Sequence, residues 1–409
     1  MNKYSFLQIG FFVGDDDFKE NTKNDIYPQV AARKLEGRFV DGFKKNNIFL
    51  TLLSFFPASN FPGNKRVFFG YKCGIANGIL NYSYPFINII GIKHITRFFS
   101  CLLFLALWHF ENRNSIKKIV IYSVHSPFVL AALIFKFLFH TSTYVIIPDL
   151  PTHMNFGGKR SKIWGLLKKL DSKFIDFLIS RTSGISVVSR SMVVENVKWR
   201  TLPYLVIEGM IDASAGAIAK NIVEKKVFFY AGGLNAEYGV QSLLSAFQVL
   251  SEVDEDVELW LCGKGELVSD IEILTNKYKN IRYFGYLSQP DIDRLMGDVF
   301  CLMNCRNPND DFVKYSFPSK LLEYLVSGIP ILTTKLPGVP NEYDEYLNYL
   351  DGSDSGCIVE GVMKILQQND EYLLQKASRG RDFVLSKKNS KIQISKFIDL
   401  IIGKDDKYV

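Results

Sequence analysis

Apolar runs of strand length recur along the whole chain and are separated by segments long enough to form helices. Runs of this kind are typical of parallel strands that helices cover on both faces. The predicted strands lie at 6–13, 48–55, 119–122, 144–147, 185–189, 205–208, 227–230, 258–262, 281–284, 299–303 and 331–333. This alternation predicts an α/β chain with doubly wound parallel sheets. Because 409 residues exceed one ordinary core, two domains are expected.

The stretch 317–330 gives the clearest indication of a ligand site. A turn with Ser319 and Lys320 leads into a helix that bears Glu323 and ends at Gly328. A helix that begins in this way points backbone N–H groups at an anion such as a phosphate, and Lys320 adds a positive charge. Glu323, one helical turn further on, can accept hydrogen bonds from a ribose diol. The segment therefore predicts a site for a nucleotide diphosphate.

Three earlier segments precede this one in a recognisable order. The first strand ends in the glycine loop Gly232-Gly233, the next strand ends in Gly263-Lys264-Gly265, and a third carries Tyr283. With 317–330, this order resembles the C-terminal domain of family-four glycosyltransferases of the GT-B fold, the type that builds bacterial surface polysaccharides. The resemblance covers roughly residues 225–340, and it reaches the N-terminal half only loosely, through 149–151 and 187–189.

The resemblance implies a domain plan. The GT-B fold consists of two doubly wound Rossmann-like domains that face a central cleft. An N-terminal, acceptor-binding domain is expected over 1–205 and a nucleotide-sugar-binding domain over 206–390, with a helix in 391–409 crossing back to the first domain. Ligands of open α/β sheets bind at the carboxyl ends of the strands, so the active site is expected in the cleft.

For the donor, the resemblance implies binding by Gly232, Gly233, Gly263, Tyr283, Ser319, Lys320, Leu321 and Glu323. The family commonly places an Arg and a Lys around the glycine loop, and Gly233 and Tyr238 occupy the nearest positions here. Lys320, Arg306 or Lys314 could supply the missing charge. Lys320 is favoured as a catalytic residue because it lies on the phosphate turn. An ordinary surface lysine is the alternative.

For the acceptor, the resemblance points to the end of the fourth predicted strand. Asp149 follows that strand between two prolines, where it could position or deprotonate an acceptor hydroxyl, and we take it as the second catalytic residue. A turn-forming aspartate is the alternative reading. His153 and His125 are the candidate acceptor-binding residues, although a histidine satisfied in the core would explain His125 equally simply. No metal site and no cofactor is expected, since the nucleotide sugar is a co-substrate.

Charge divides the chain unequally. Residues 1–200 hold 27 Lys and Arg against 12 Asp and Glu, whereas residues 201–409 hold 22 against 30. A basic N-terminal half is attracted to anionic lipid or to nucleic acid. Lipid is favoured because 158–174 alternates basic and apolar residues at helical spacing, as interfacial helices do. A surface helix with a solvated lysine face is the alternative, and no nucleic-acid partner is predicted.

Two long apolar runs, 98–110 and 127–139, are too short for a bilayer span of about 20 residues, so buried helices beside a sheet are predicted. The six cysteines form no Cys-x-x-Cys pair, which favours reduced thiols. No secretory signal is recognised at the start of the sequence. These features predict a cytoplasmic protein, and the basic N-terminal half predicts that it is peripheral on the inner face of the cell membrane.

Three functions compete at this stage. The leading one is a retaining glycosyltransferase that moves a sugar from a nucleotide diphosphate to a glycan or a lipid-linked acceptor in cell-surface polysaccharide synthesis. The second is a nucleotide-sugar epimerase of the same fold. The third is a catalytically silent nucleotide-sugar-binding subunit, which is supported by Tyr315 at the position of the first of the family's two glutamates.

Overall fold

The protein is described here by a computed structural model, which places residues 3–23, 25, 28–150, 162–213, 216, 218 and 225–403. The chain forms two compact units. The first comprises Met1–Met210 together with Ser390–Val409, and the second comprises Ile211–Asn389.

Strands of the first unit form one large sheet and one small pair. They are β1 (Tyr4–Gly10), β2 (Leu50–Ser54), β3 (Phe68–Phe69), β4 (Lys72–Ala76), β5 (Ile79–Ser83), β6 (Phe86–Ile87), β7 (Ile116–Tyr122), β8 (Ser142–Ile147), β9 (Gly184–Val187) and β10 (Tyr204–Val206). The large sheet has the order β10-β9-β8-β7-β1-β2-β5-β4. Its neighbours are parallel except for β4 and β5, which pair antiparallel, as do β3 and β6. The parallel sheet is as predicted, whereas the antiparallel pair β4 and β5 at its edge was not predicted.

Helices of the first unit are α1 (Asp15–Thr22), α2 (Val30–Lys45), α3 (Ile92–Glu111), α4 (Ser126–Phe139), α5 (Lys162–Ile179) and α6 (Ser191–Val194). The second unit has strands β11 (Lys226–Gly233), β12 (Val257–Lys264), β13 (Ile281–Tyr283), β14 (Cys301–Asn304), β15 (Ile331–Thr334) and β16 (Asn348–Leu350). They form a parallel sheet with the order β13-β12-β11-β14-β15-β16.

Helices of the second unit are α7 (Val240–Val253), α8 (Val268–Lys277), α9 (Gln289–Met296), α10 (Ser319–Ser327), α11 (Ser355–Leu366) and α12 (Asp370–Lys387). The last helix of the chain, α13 (Ser390–Ile402), belongs to the first unit, where it packs on α2. Phe397 of α13 meets Phe39 of α2 with ring centroids 6.2 Å apart. A Cβ on Gly42 would lie 2.2 Å from Ile394, so only glycine permits this close helix packing.

Helices α2 and α13 cover one face of the first sheet, while α3, α4 and α5 pack side by side on the other, as right-handed crossovers require. The two apolar runs lie within α3 and α4, so both helices are present. They are not buried all round, which corrects the sequence prediction: Phe99 and Leu103 are 62% and 58% exposed, and Phe137 is 83% exposed. No helix in the described part of the chain has the length and hydropathy needed to cross a membrane.

Candidate active site

A cavity of about 210 Å³ opens in the second unit beside the ends of β11 and β14 and the start of α10. It is lined by Tyr230, Gly233, Tyr238, Met303, Asn304, Arg306, Pro318, Lys320, Leu321 and Tyr324. Three of the predicted donor-binding residues, Gly233, Lys320 and Leu321, thus meet at one place. The cavity lies at the carboxyl ends of parallel strands, where ligands of this kind of sheet bind.

The glycines at this edge are required by close backbone contact. Gly232 of β11 is opposite Gly263 of β12. A Cβ on Gly263 would lie only 1.7 Å from the Gly232 carbonyl oxygen, and Gly263 has a φ of +144°. The Tyr283 hydroxyl donates a hydrogen bond of 2.8 Å to the Gly263 carbonyl. Gly232, Gly263 and Tyr283 therefore contact one another across the ends of three neighbouring strands, but none of them lines the cavity.

Lys320 reaches back from the first turn of α10 to the glycine loop. Its Nζ donates a hydrogen bond to the Ala231 carbonyl oxygen and lies 5.4 Å from the centre of the Tyr230 ring. A Cβ on Gly232 would fall 1.9 Å from Nζ, so the glycine leaves room for the ammonium group. Burial, with the nearby charge of Arg306, lowers the pKa of Lys320 to about 8. A bound anion would restore the charged form of this lysine.

Arg306 supplies a second positive charge that the glycine loop lacks. It follows β14, lines the cavity, and has its guanidinium 4.7 Å from the centre of the Tyr238 ring. The ring in turn lies against Gly233, where a Cβ would be 2.6 Å from it. Tyr238 therefore does not supply a charge itself; its ring contacts the guanidinium of Arg306, which follows β14. From the sequence, Arg306 was one of three residues that could supply the missing positive charge.

Two tyrosines that the sequence analysis missed fix the loop. The backbone N–H of Ala231 donates a hydrogen bond of 3.0 Å to the Tyr324 hydroxyl. The Tyr230 hydroxyl donates one of 3.0 Å to the Gly233 carbonyl. Burial raises the pKa of both tyrosines, so both remain neutral at physiological pH. They hold the end of β11 against α10. In the sequence, their only sign was that Tyr230 falls within a predicted strand and Tyr324 within a predicted helix.

The remaining donor candidates lie on α10. Ser319 is exposed at the start of the helix, where first-turn N–H groups lack intrahelical partners. Leu321 is 1% exposed and forms part of the cavity wall, while its own N–H donates to the Pro318 carbonyl at 2.8 Å. Glu323 is half-buried one turn further on and is not a lining residue of the cavity. Its negative charge opposes the lowering of the Lys320 pKa.

In the first unit, the acceptor candidates lie at the carboxyl edge of the sheet. Asp149 follows β8, and desolvation of its carboxyl group raises its pKa. His153 lies outside the described residues. His125 follows β7, which is the neighbour of β8, and it is the residue before the start of α4. Asp149 and His125 thus share one sheet edge.

His125 is held in one tautomer by Arg97. The guanidinium Nη1 lies 3.2 Å from His125 Nε2, and because a guanidinium can only donate, Nε2 must be the acceptor. Burial and the charge of Arg97 lower the pKa of His125 well below its usual value. The ring is therefore neutral and carries its proton on Nδ1. The sequence analysis left His125 as either an acceptor-binding residue or a histidine satisfied in the core. The structure is compatible with both, because Nε2 accepts a hydrogen bond from the buried Arg97 while Nδ1 carries a proton that it can donate.

Glu36 is a buried carboxyl group that the sequence analysis did not single out. Its Oε1 accepts hydrogen bonds from the Phe11 N–H at 3.0 Å and from Gln8 Nε2 at 3.2 Å, at the end of β1. Burial raises the pKa of Glu36 to about 8. A Cβ on Gly10 would lie 1.9 Å from the same oxygen, so Gly10 is needed to admit the carboxyl group.

The comparisons with known proteins agree with this geometry. Residues 217–380 match the family of glycosyl transferases group 1. The second unit carries a glycosyltransferase domain. The enzyme class predicted from the sequence is thereby confirmed. No curated protein matches the chain in sequence.

Solved glycosyltransferase structures resemble the chain in fold. Apo OtsA has a TM-score of 0.65 at 9% identity, covering 99% of each chain. The lipopolysaccharide outer core galactosyltransferase WaaB has a TM-score of 0.63 at 14% identity, covering 98% of this chain and 99% of WaaB. TarM has a TM-score of 0.57 at 13% identity, covering 81% of this chain but only 63% of TarM, which is less than two thirds of its length. The predicted GT-B fold is confirmed.

Proposed function

We propose that the chain is a retaining glycosyltransferase of the family-four type, which moves a sugar from a nucleotide diphosphate sugar to a glycan or lipid-linked acceptor in cell-surface polysaccharide synthesis. The main support is the meeting of Lys320 and Arg306 with the start of α10 around one cavity. Two cations and a helix N-terminus at one point favour binding of a diphosphate.

In this proposal, the donor lies with its diphosphate between Lys320 and Arg306 and against the Gly232-Gly233 loop. Ser319 offers backbone and hydroxyl donors to the same anion, and Glu323 accepts hydrogen bonds from the ribose. The cations act mainly on the departing diphosphate, whose negative charge grows as the sugar leaves. Stabilisation of developing charge is the largest contribution that such a site can make.

The retaining course that we propose needs no protein nucleophile. Among the described residues that line the cavity, none carries a carboxylate that could serve as a nucleophile. We propose that the diphosphate oxygen takes the proton from the incoming acceptor hydroxyl as the sugar bond breaks. The new glycosidic bond then forms on the same face, without a covalent sugar-enzyme intermediate. This course also tolerates Tyr315 at the position of the family's first glutamate.

The acceptor role is assigned to the first unit. Asp149 would orient the acceptor hydroxyl, since it follows β8 at the carboxyl edge of the sheet. His125, with a proton on Nδ1, would donate a hydrogen bond to an acceptor oxygen. We include His153 on its sequence position alone.

The test is a donor panel offered to the purified full-length chain. Mass spectrometry would identify which nucleotide diphosphate sugars are consumed, and proton NMR of the released or transferred sugar would show whether the anomeric configuration is retained. Consumption of one donor with retention supports the proposal. Inversion would refute the retaining course. Nucleotide binding without any turnover would favour the catalytically silent subunit that Tyr315 suggests.

We further propose that the enzyme works in the cytoplasm, at the inner face of the membrane, where a lipid-linked acceptor resides. The support is the surplus of basic residues in 1–200 and the basic, apolar helix α5, in which Lys173 is exposed. This attraction is screened by salt. Binding to anionic vesicles should therefore weaken as the salt concentration rises. It should also weaken in a variant in which Lys162, Lys168, Lys169 and Lys173 are all changed to Gln. Equal binding to neutral vesicles would contradict it.

A further inference from the structure

The outer face of α3 is an apolar stripe. Six large side chains on it are between 42% and 67% exposed: Ile92, Ile95, Phe99, Leu103, Leu107 and Phe110. They recur every three or four residues, so they lie above one another on one side of the helix. From Ile95 to Phe110, every exposed residue is apolar. We call these six residues the α3 stripe.

Such a face is unusual for a helix that covers a sheet. The opposite side of α3 already buries Phe104, Leu105 and Trp108 in the first unit, at 4%, 0% and 3% exposure. The outer side of a helix in this position normally carries polar residues. Large contiguous patches of exposed apolar side chains are uncommon on soluble proteins and mark sites of interaction. The stripe therefore indicates an interaction surface.

The stripe is presented rigidly. At the start of α3, the buried Lys93 donates a hydrogen bond of 2.5 Å to the Ala58 carbonyl, and the buried Arg97 donates one of 2.6 Å to the Phe56 carbonyl. At the other end, His109 meets Phe139 of α4 with ring centroids 4.1 Å apart. Phe137, near the same end of α4, is a further large apolar residue that is 83% exposed. Both ends of the helix are thus anchored.

Charge favours an anionic bilayer as the occupant. No Asp or Glu occurs between residues 92 and 110, so no carboxylate of α3 opposes contact with anionic headgroups until Glu111. The surrounding N-terminal half has 27 basic against 12 acidic residues. A second copy of the chain would bring the same positive surplus to the contact and would be repelled, whereas anionic lipid would be attracted.

We infer that the α3 stripe inserts into the headgroup and acyl boundary of an anionic membrane, with α3 lying in the plane of the surface. This deepens the membrane association proposed above, because it names the surface and adds an apolar component to the electrostatic one. A helix of 20 residues is about 30 Å long. Lying flat, it offers its whole stripe to the lipid, as amphipathic interfacial helices do.

The experiment is vesicle flotation with the full-length chain, using vesicles of phosphatidylglycerol and phosphatidylcholine in equal parts, at low salt and at about 1 M salt, where charge attraction is screened. The test variant replaces Phe99, Leu103 and Leu107 by Gln. The control variant replaces Val253 and Ile273 of the second unit by Gln, since they are similarly exposed at 68% and 66%. Circular dichroism checks that each variant is folded.

At high salt the electrostatic part of the binding is screened, and we expect the wild-type chain and the control to keep the remaining apolar part. We expect the stripe variant to bind about tenfold or more weakly than they do. Loss of all wild-type binding at high salt would refute insertion. If the wild-type chain is dimeric without lipid and the stripe variant is monomeric, the stripe is an interface between copies, which also overturns the inference. Calorimetry should show that the stripe variant still binds a nucleotide diphosphate. The donor site would then be intact, so that a failure of the membrane inference can be told apart from a failure of the proposed function.

Discussion

Replacement of Lys320 by Met tests the centre of the proposed donor site. Methionine keeps the length of the side chain and removes its charge. In the structure, Lys320 Nζ lies against the glycine loop and lines the cavity, so the variant loses a cation at the place where the diphosphate is proposed to bind.

The size of the effect follows from the partial burial of this group. A hydrogen bond to a charged partner contributes about 1.5–3 kcal/mol, because little water competes for it. That range corresponds to a loss of nucleotide diphosphate affinity of about 10- to 150-fold. The matching nucleoside has no diphosphate, so its affinity should change little. Arg306 remains in the variant, and we therefore expect weakened rather than abolished diphosphate binding.

The pH dependence gives a second signature. Because the pKa of Lys320 is lowered to about 8, the empty site carries the charged lysine below that pH and loses the charge above it. The affinity of the wild-type chain for a nucleotide diphosphate should therefore fall as pH rises through about 8. In Lys320→Met this decrease should be absent, since the titrating group is gone.

The assay is isothermal titration calorimetry of the full chain with uridine, guanosine and adenosine diphosphates and their nucleosides. Lys335→Met is the matched control, because it removes one charge from an exposed lysine that pairs with Asp344 outside the cavity. Equal losses for diphosphate and nucleoside in Lys320→Met would refute the assigned role. So would equal losses in Lys320→Met and Lys335→Met, which would indicate a general effect of net charge.

Three further predictions concern carboxyl groups. Glu323→Ala should weaken nucleotide diphosphate binding by about 1.5–3 kcal/mol if Glu323 holds the ribose, and unchanged affinity in calorimetry would remove it from the site. Asp149→Asn should lower the transfer rate and leave donor affinity nearly intact, so a wild-type rate would return Asp149 to a turn-forming role. The pKa of Glu36 is raised from 4.5 to about 8 in the folded chain. Between these two pH values the folded chain holds the proton and the unfolded chain has lost it. The free energy of unfolding should therefore fall as pH rises from about 4.5 to 8. Urea denaturation of the wild-type chain at several pH values should show this decrease, which is at most about 1.4 kcal/mol per pH unit. The decrease should be absent in Glu36→Gln. An equal decrease in both proteins would contradict the assignment to Glu36.

The sequence by itself indicated the fold class and where the main strands of the second sheet lie along the chain. Strands buried on both faces read as continuous apolar runs in the sequence, which is why β11, β12, β13, β14 and β15 were anticipated. The hairpin of β4 and β5 was not, because four of the five β4 residues are exposed and leave no such pattern. The short edge strand β16 was missed for a similar reason, since two of its three residues are only half-buried.

Only the tertiary structure decided which charges meet at the cavity. Lys320 and the Ala231 carbonyl are 89 positions apart, and their contact depends on how α10 packs against the end of β11. Arg306 joins them because Tyr238 offers it an aromatic face, a pairing that no local pattern encodes. Likewise, residues 98–110 are apolar on every side, so their sequence could not show which side is buried. Packing of α3 against the sheet and α4 uses one side, and the other is left as the exposed stripe.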